Sequence, residues 1–300
     1  MMLVRFETEG RSPHPGVIGQ DGRLRELEVA GLFELAGVRQ DDVSAYVGAR
    51  LGPVVEGPYT LAVPIDGETE VWASGVTYLR SKTARQEESQ VADVYSLVYD
   101  ADRPELFYKS NARRAVGPDD PIGIREDSPI NVPEAELALL TNAFGEVIAA
   151  AICNDVSSRS IEGENPLYLP QAKIYAGSCA LGPGWTLVDD VAELGDRTID
   201  VDVCRMGESA WQASTSTGML HRRLLELVEW LHRADWFPHG AVLSTGTGVV
   251  PDLDFSLEGG DQVIVTIEGL GALVNSVVVG RDAFGHLPRL TDYTQTGAPA

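Results

Sequence analysis

The sequence is poor in cysteine, with only three such residues among 300, and no two of them form a Cys-x-x-Cys pair. Widely spaced cysteines in odd number argue against a disulfide framework and against a thiolate zinc site. The chain also has no apolar run of about 18 residues, so we expect no membrane-spanning helix. Its first residues lack the long apolar core of a signal peptide, and the sequence therefore predicts a cytoplasmic protein.

Several catalytic motifs are missing as well. The chain contains no Gly-x-Ser-x-Gly elbow, no His-Glu-x-x-His pair, no phosphate-binding Walker loop and no Gly-x-Gly-x-x-Gly fingerprint. Its five histidines show no metal-ligand spacing. These absences narrow the chemistry to a site built from other residue types.

Lysine is the scarcest charged residue, since only Lys82, Lys109 and Lys173 occur among 23 basic residues. With 45 acidic residues the net charge is -22, which argues against nucleic acid and anionic membranes as partners. An acidic surface with few lysines fits a salt-rich cytoplasm, where ions screen the repulsion. A GC-rich genome would favour arginine over lysine in the same way, so both explanations stay open.

The sequence does contain a pair of glutamates, Glu134 and Glu136, inside an apolar segment. Residues 133–141 are predicted to form a strand, residues 142–145 a turn and residues 147–153 a second strand. Because side chains alternate along a strand, the two glutamates point to the same face.

Asp155 follows the second predicted strand, and a hairpin would return it to the level of Glu134 and Glu136. Both strands are apolar on both faces, which predicts that this site is buried. Buried carboxylates without a partner take up a proton or destabilise the fold. A hard cation held by oxygen ligands, Mg²⁺, Mn²⁺ or Ca²⁺, resolves the conflict. On spacing alone, the alternative of two glutamates on the wet face of a half-exposed strand stays open.

The order of predicted elements indicates an α+β protein that is mainly β with some helix. Residues 1–66 are predicted to be a small N-terminal β-rich domain, joined near a Pro-Ile-Asp-Gly turn to a catalytic domain of residues 67–300. Residues 71–78 are predicted to form a strand, and apolar residues at helical spacing predict helices over residues 81–98 and 221–234.

Five motifs stand in an order that resembles the fumarylacetoacetate hydrolase superfamily, over roughly residues 70 to 280. They are the glutamate pair, Asn154 to Arg159, Gln171 to Lys173, Cys179 to Pro183 and Ser244 to Thr247. The resemblance implies a β-roll catalytic domain that forms dimers or assemblies of dimers. It also implies a divalent ion on Glu134, Glu136 and Asp155, and a small 2-oxoacid as substrate.

Two segments, residues 98–109 and 164–177, resemble more narrowly the superfamily's dehydratases of 2-keto-3-deoxy-D-arabinonate (2-keto-3-deoxy-D-xylonate). Those enzymes form 2,5-dioxopentanoate in oxidative pentose degradation. The resemblance implies that Lys173 and Glu105 are an acid/base pair, and we expect Lys173 to be the base. Arg159 would orient the metal ligands or the substrate. The residues expected at substrate oxygens are Thr247, Gly246 and Thr77.

One departure separates the chain from the C–C hydrolases of the superfamily, which carry a histidine shortly after a Gly-x-Asn-Tyr motif. Here Gly75 to Tyr78 reads Gly-Val-Thr-Tyr, and Ser81 stands where the histidine would fall. The preferred function is therefore dehydration. An acylpyruvate-type hydrolase, an oxaloacetate-type decarboxylase and a non-catalytic binding protein remain alternatives. Glu162 and Glu164 are expected to be lid or surface charges.

Overall fold

A computed structural model describes residues 1–88 and 97–284 of the chain. Strands dominate this part of the protein, as the sequence predicts. Numbered in chain order, they are β1 Met2–Thr8, β2 Arg11–Ile18, β3 Leu24–Leu27, β4 Leu51–Val54, β5 Thr60–Ala62, β6 Glu70–Gly75, β7 Glu105–Asn111, β8 Ile122–Ile124, β9 Asn131–Val132, β10 Ala135–Thr141, β11 Val147–Asp155, β12 Ser157–Ser158, β13 Cys179–Leu187, β14 Thr198–Arg205, β15 Glu208–Ser216, β16 Ala241–Thr247, β17 Gln262–Ile267 and β18 Gly271–Val279.

Helices are short and lie between the strands. The α-helices are Val43–Gly48, Leu79–Glu88, Arg159–Glu164, Leu169–Lys173 and Leu224–Leu231, and the 3-10 helices are Leu32–Gly37, Gln40–Asp42, Pro166–Tyr168, Val191–Leu194, Thr217–Met219 and Arg281–Ala283. None of the helices in the described ranges is long and apolar enough to cross a membrane.

Eleven strands form one sheet in the order β4-β3-β2-β1-β13-β11-β10-β16-β6-β7, with β5 pairing on β1. A second sheet has five strands in the order β15-β14-β17-β18-β8. The mainly β class predicted from the sequence is confirmed.

The predicted hairpin is the central pair of the large sheet. In the antiparallel pairing of β10 with β11, Ala135 lies opposite Asn154 and Glu136 lies opposite Cys153. Every residue of both strands is buried. One face packs into a core with Leu137 and Leu139, and the other packs into a separate core with Ala138. The apolar character of both faces thus reflects a sheet covered on both sides.

Three predicted elements differ at their ends. The strand expected to reach Tyr78 ends at Gly75, because Val76 has a left-handed backbone with φ 55°. The helix predicted over 221–234 is confined to Leu224–Leu231, and Arg223 before it is extended. The helix predicted over 81–98 is observed as Leu79–Glu88, and residues 89–96 lie outside the described part.

The N-terminal segment shares the large sheet with the rest of the chain. Met2 pairs with Thr186 and Leu3 with Trp185, which joins β1 to β13. The indole nitrogen of Trp185 donates to the carbonyl of Pro64 at 2.7 Å, close to the predicted joint. The domain boundary at residues 66 and 67 stays a prediction.

Candidate active site

Three carboxylates meet at one end of the hairpin. Oxygen atoms of Glu134, Glu136 and Asp155 all lie within 4.8 Å of one another, and each of the three residues is buried. The hairpin register produces this convergence, because the amide of Asp155 donates to the carbonyl of Glu134 at 2.9 Å. The structure therefore brings together the three residues predicted to bind a metal.

Lys173 closes one side of the carboxylate trio. It ends the Leu169–Lys173 helix, and its ammonium donates to Glu134 at 2.8 Å, to Asp155 at 3.2 Å and to the Ser157 hydroxyl at 2.5 Å. Burial alone would lower the pKa of Lys173, but the charges of Asp155, Glu134 and Glu162 outweigh burial and raise this pKa. In the metal-free protein Lys173 is therefore an ammonium, whereas the sequence led us to expect a neutral base beside a bound cation.

A second cation, Arg85, contacts the same side from the Leu79–Glu88 helix. Its guanidinium lies 3.7 Å from Glu134 and forms an ion pair with Glu162. Burial raises the pKa of Glu134, but Lys173 and Arg85 outweigh burial and lower this pKa to about 2. Glu162 is 2% exposed, so the expectation that it is a surface charge is wrong. Glu164 is exposed, as expected.

Glu136 lies in different surroundings. The Ser244 hydroxyl donates to its carboxylate at 2.6 Å, and the Gly246 amide donates at 2.8 Å. No ion pair with Glu136 is found within the ranges 1–88 and 97–284. Burial, with the charges of Asp155 and Glu134, raises the pKa of Glu136 well above its usual range.

Strand β7 directs Glu105, Phe107 and Lys109 to one face, since they alternate along the strand. The Glu105 carboxyl lies against Gly75, where a Cβ atom would overlap it. Burial raises the pKa of Glu105, although the charge of Arg85 opposes this effect. The ammonium of Lys173 lies 5.6 Å from the centre of the Phe107 ring. Of the predicted acid/base pair, Lys173 contacts the trio directly, whereas Glu105 lies against Gly75 and is not among the residues that line the cavity at the trio.

A narrow cavity opens onto the trio, with a free volume of about 10 Å³, roughly that needed for one water molecule. Besides the trio and Lys173, it is lined by Arg85, Phe107, Arg159 and Thr247. Arg159 is buried and donates to the carbonyl of Pro251. The hydroxyl of Thr247 donates to the Val249 carbonyl at 3.0 Å.

Thr77 and Gly246 form a support behind the cavity. The Thr77 hydroxyl donates to the carbonyl of Thr245 at 2.7 Å and occupies the space that a Cβ atom on Gly246 would need. Gly246 has φ 92°, a conformation that favours glycine. Both residues thereby hold the amide that donates to Glu136.

The donor set fits a divalent cation. Three carboxylates offer only oxygen, which suits a hard ion such as Mg²⁺. Glu136 is 1% exposed and has hydrogen bonds from neutral groups, so an ionised Glu136 needs positive charge from another source. The sequence pattern predicted the three ligands, but it missed Arg85, Lys109 and Glu162 around them. The one available signal was the scarcity of lysine, because two of the three lysines are buried here.

The architecture and this buried acidic centre agree with a family model for the fumarylacetoacetate (FAA) hydrolase C-terminal domain, which matches residues 70–278. The chain belongs to the fumarylacetoacetate hydrolase family. The resemblance seen in the motifs is confirmed.

Two curated relatives place the chain near one branch of this family. A probable 2-keto-3-deoxyxylonate dehydratase of Haloferax volcanii is 48% identical over 215 residues, which cover 72% of this chain and 74% of the relative. The 2-dehydro-3-deoxy-D-arabinonate dehydratase of Saccharolobus solfataricus is 38% identical over 218 residues, covering 71% of this chain and 73% of that enzyme. Dehydratases are hydro-lyases, in agreement with the enzyme class predicted from the sequence.

A solved structure of 2-keto-3-deoxy-D-arabinonate dehydratase, complexed with magnesium and 2,5-dioxopentanoate, is similar to the whole fold. The TM-score is 0.82 at 31% sequence identity, and the match covers 94% of this chain and 100% of that one.

Proposed function

We propose that this protein is a Mg²⁺-dependent dehydratase that converts 2-keto-3-deoxy-D-arabinonate to 2,5-dioxopentanoate and water. The observation that carries the proposal is the buried carboxylate trio with the Lys173 ammonium in contact with two of its members, Glu134 and Asp155. Glu105 is close enough for the charges of Lys173 and Glu134 to act on it. The names of the similar enzymes supply the substrate. In the D series, the xylonate and arabinonate derivatives are the same molecule, because loss of the C3 hydroxyl and oxidation at C2 remove the centres that distinguish them.

We assign the proton-transfer steps to Lys173 and Glu105. When bound, the cation supplies Lewis-acid stabilisation of negative charge on the C2 oxygen, and its charge favours the neutral form of Lys173. Lys173 takes a proton from C3 as general base. Burial raises the pKa of Glu105, which favours its protonated form, and we assign Glu105 to donate this proton to the C4 hydroxyl, which leaves as water.

The remaining steps balance without an oxidant. Elimination gives a C3–C4 double bond next to a hydroxymethyl group at C5. A proton then leaves C5 and another is added at C3, which moves the double bond to C4–C5 and forms an enol. Protonation of this enol at C4 gives the C5 aldehyde. Arg159 and Thr247 line the cavity, and we assign them to orientation of the substrate.

The hydrolase alternative requires a base that activates water, and the structure offers no support for one. No histidine lines the cavity among the described residues. At the position of the family histidine, Ser81 donates its hydroxyl to the Tyr78 carbonyl at 2.8 Å, so this hydroxyl is held by the backbone. Oxidative pentose degradation is the pathway that we propose for the reaction, and homo-oligomer formation stays a prediction.

The decisive experiment supplies the purified protein with Mg²⁺ and compares 2-keto-3-deoxy-D-pentonate with an acylpyruvate. We expect the sugar acid to yield an aldehyde with all five carbons retained. Pyruvate released from the acylpyruvate, with the sugar acid unchanged, would contradict the proposal and favour the hydrolase. Removal of Mg²⁺ by a chelator should abolish aldehyde formation, and added Mg²⁺ should restore it.

A further inference from the structure

Lys109 is a fully buried ammonium that lies beside the site without lining its cavity. The residue is 1% exposed and belongs to the largest side chains that are completely enclosed. Transfer of an ammonium from water into a protein interior is unfavourable by several kcal/mol unless partners surround it. Lys109 is one of three lysines in the chain, and it is therefore expected to have partners that compensate its charge.

One ion pair and two hydrogen bonds surround the ammonium. Lys109 forms an ion pair with Asp155 and donates to the Val156 carbonyl at 3.0 Å and to the Lys173 carbonyl at 2.6 Å. An ammonium has three N–H donors and no acceptor, so the two carbonyls accept from two of them and the Asp155 carboxylate compensates the charge. Each acceptor belongs to a segment that the proposed reaction uses.

The geometry points to Lys109 as a positioning residue for the proposed dehydration: we propose that it fixes Asp155 and the end of the helix that carries Lys173 relative to β7, which carries Glu105. This inference rests on the proposed function. One ammonium joins a strand, a metal-binding carboxylate and a helix end, so it sets the spacing between the acid, the base and the metal ligands.

The two oxygens of Asp155 support a division of roles between the lysines. Lys173 donates to one oxygen from inside the cavity, and Lys109 pairs with the other from behind it. Lys173 thus faces the cavity, while Lys109, held by two backbone carbonyls, keeps Asp155 in orientation. Residues that orient metal ligands contribute about 10- to 100-fold to metal affinity or activity.

The test compares Lys109→Met with Lys82→Met, the same change at a lysine whose partner Asp100 is exposed. Mn²⁺ binding to each folded protein is measured by electron paramagnetic resonance, without substrate. We expect the Kd of Lys109→Met for Mn²⁺ to rise about 10- to 100-fold, and kcat at saturating Mn²⁺ to fall, while Lys82→Met matches wild type. Equal or tighter Mn²⁺ binding by Lys109→Met would overturn the proposal, since a merely repelling charge gives tighter binding when removed.

A second measurement tests the proposal if Lys109→Met does not fold. A crystal structure of the Mg²⁺-loaded wild-type protein should retain the contacts of the Lys109 ammonium with Asp155 and with the Lys173 carbonyl. Separation of either pair beyond about 4 Å would overturn the inference. Failure of wild type to bind Mn²⁺ or to form aldehyde would instead count against the proposed function, so the two failures are distinguishable.

Discussion

The two ends of the carboxylate trio are equally buried but differ in the charges around them. Glu134 lies beside Lys173 and Arg85, and its pKa is lowered to about 2. Glu136 receives hydrogen bonds from a hydroxyl and an amide, and burial raises its pKa well above the usual range. The same residue type, two positions apart in the sequence, therefore has a lowered pKa at one end of the trio and a raised pKa at the other.

This difference indicates where the proposed cation would act. The protein's own cations already compensate the end with Glu134, so the proposed divalent ion would be needed mainly to ionise Glu136. Burial alone does not determine the charge state of a carboxylate; the charges and donors within a few ångströms determine it.

The largest effect should follow the loss of Lys173, the proposed base at the compensated end. We expect Lys173→Met to lower kcat by about 10²- to 10⁴-fold, the range typical of a general acid or base. Steady-state aldehyde formation at saturating Mg²⁺ measures the change, with Lys82→Met as the matched control. A Lys173→Met enzyme with near-normal kcat would remove this residue from the mechanism.

A comparison of Glu134→Gln with Glu136→Gln in the metal-free protein should separate the two ends. Removal of Glu134 deprives Lys173 and Arg85 of a buried partner, and the free energy of unfolding should fall by about 3–5 kcal/mol. Removal of Glu136 deletes a carboxylate without an ion pair in the described chain, so stability at pH 8 should be unchanged or higher. Urea unfolding measures the free energy of unfolding of both variants. Equal losses would contradict the proposed difference between the two ends of the trio.

The pH dependence of stabilisation by Mg²⁺ should distinguish Glu136 from Glu134 in a second way. The folded protein keeps a proton on Glu136 that the unfolded chain has lost, so stability without metal falls as pH rises from the usual glutamate pKa toward the raised one. Ligation requires the ionised form, so stabilisation by Mg²⁺ should increase with pH over this window.

At a Mg²⁺ concentration of 100 times Kd, the stabilisation amounts to about 2.7 kcal/mol. Thermal unfolding with and without Mg²⁺ at several pH values measures it, and Glu136→Gln is the control, which should show no such increase. Glu134 contributes in the opposite direction, because its stabilising effect is lost only as pH falls toward its lowered pKa of about 2. A stabilisation by Mg²⁺ that shrinks as pH rises would refute the assignment.

The sequence allowed the hairpin and the trio to be predicted because both follow from local patterns. Alternation places Glu134 and Glu136 on one face, and the short turn returns Asp155 to them. Arg85 and Lys109 could not be predicted in the same way. Their partners lie 49 and 46 residues further along the chain, in Glu134 and Asp155, and only the tertiary fold brings them together.

Glu162 shows the same limit for burial. Its neighbours Gly163 and Glu164 suggest an exposed turn, yet the Arg159–Glu164 helix packs Glu162 toward Arg85. Likewise, β6 was predicted to reach Tyr78 but ends at Gly75. Val76 has a left-handed backbone, which an apolar sequence pattern does not indicate. Charge partners and backbone turns at the site depend on long-range packing, which a local pattern does not encode.

The smallest expected effect concerns Thr77, which the sequence placed at substrate oxygens and which lies behind the loop that supports Glu136. Thr77→Val keeps the shape but removes the hydrogen bond to the Thr245 carbonyl at 2.7 Å. One neutral buried hydrogen bond contributes about 1 kcal/mol, so urea unfolding should show a loss near this size. Because the hydroxyl already donates to the backbone, KM for the sugar acid should stay close to that of wild type, with Thr77→Ser as the control that retains the donor. A rise in KM of tenfold or more for Thr77→Val alone, at unchanged stability, would assign Thr77 to the substrate and separate it from the support of Glu136.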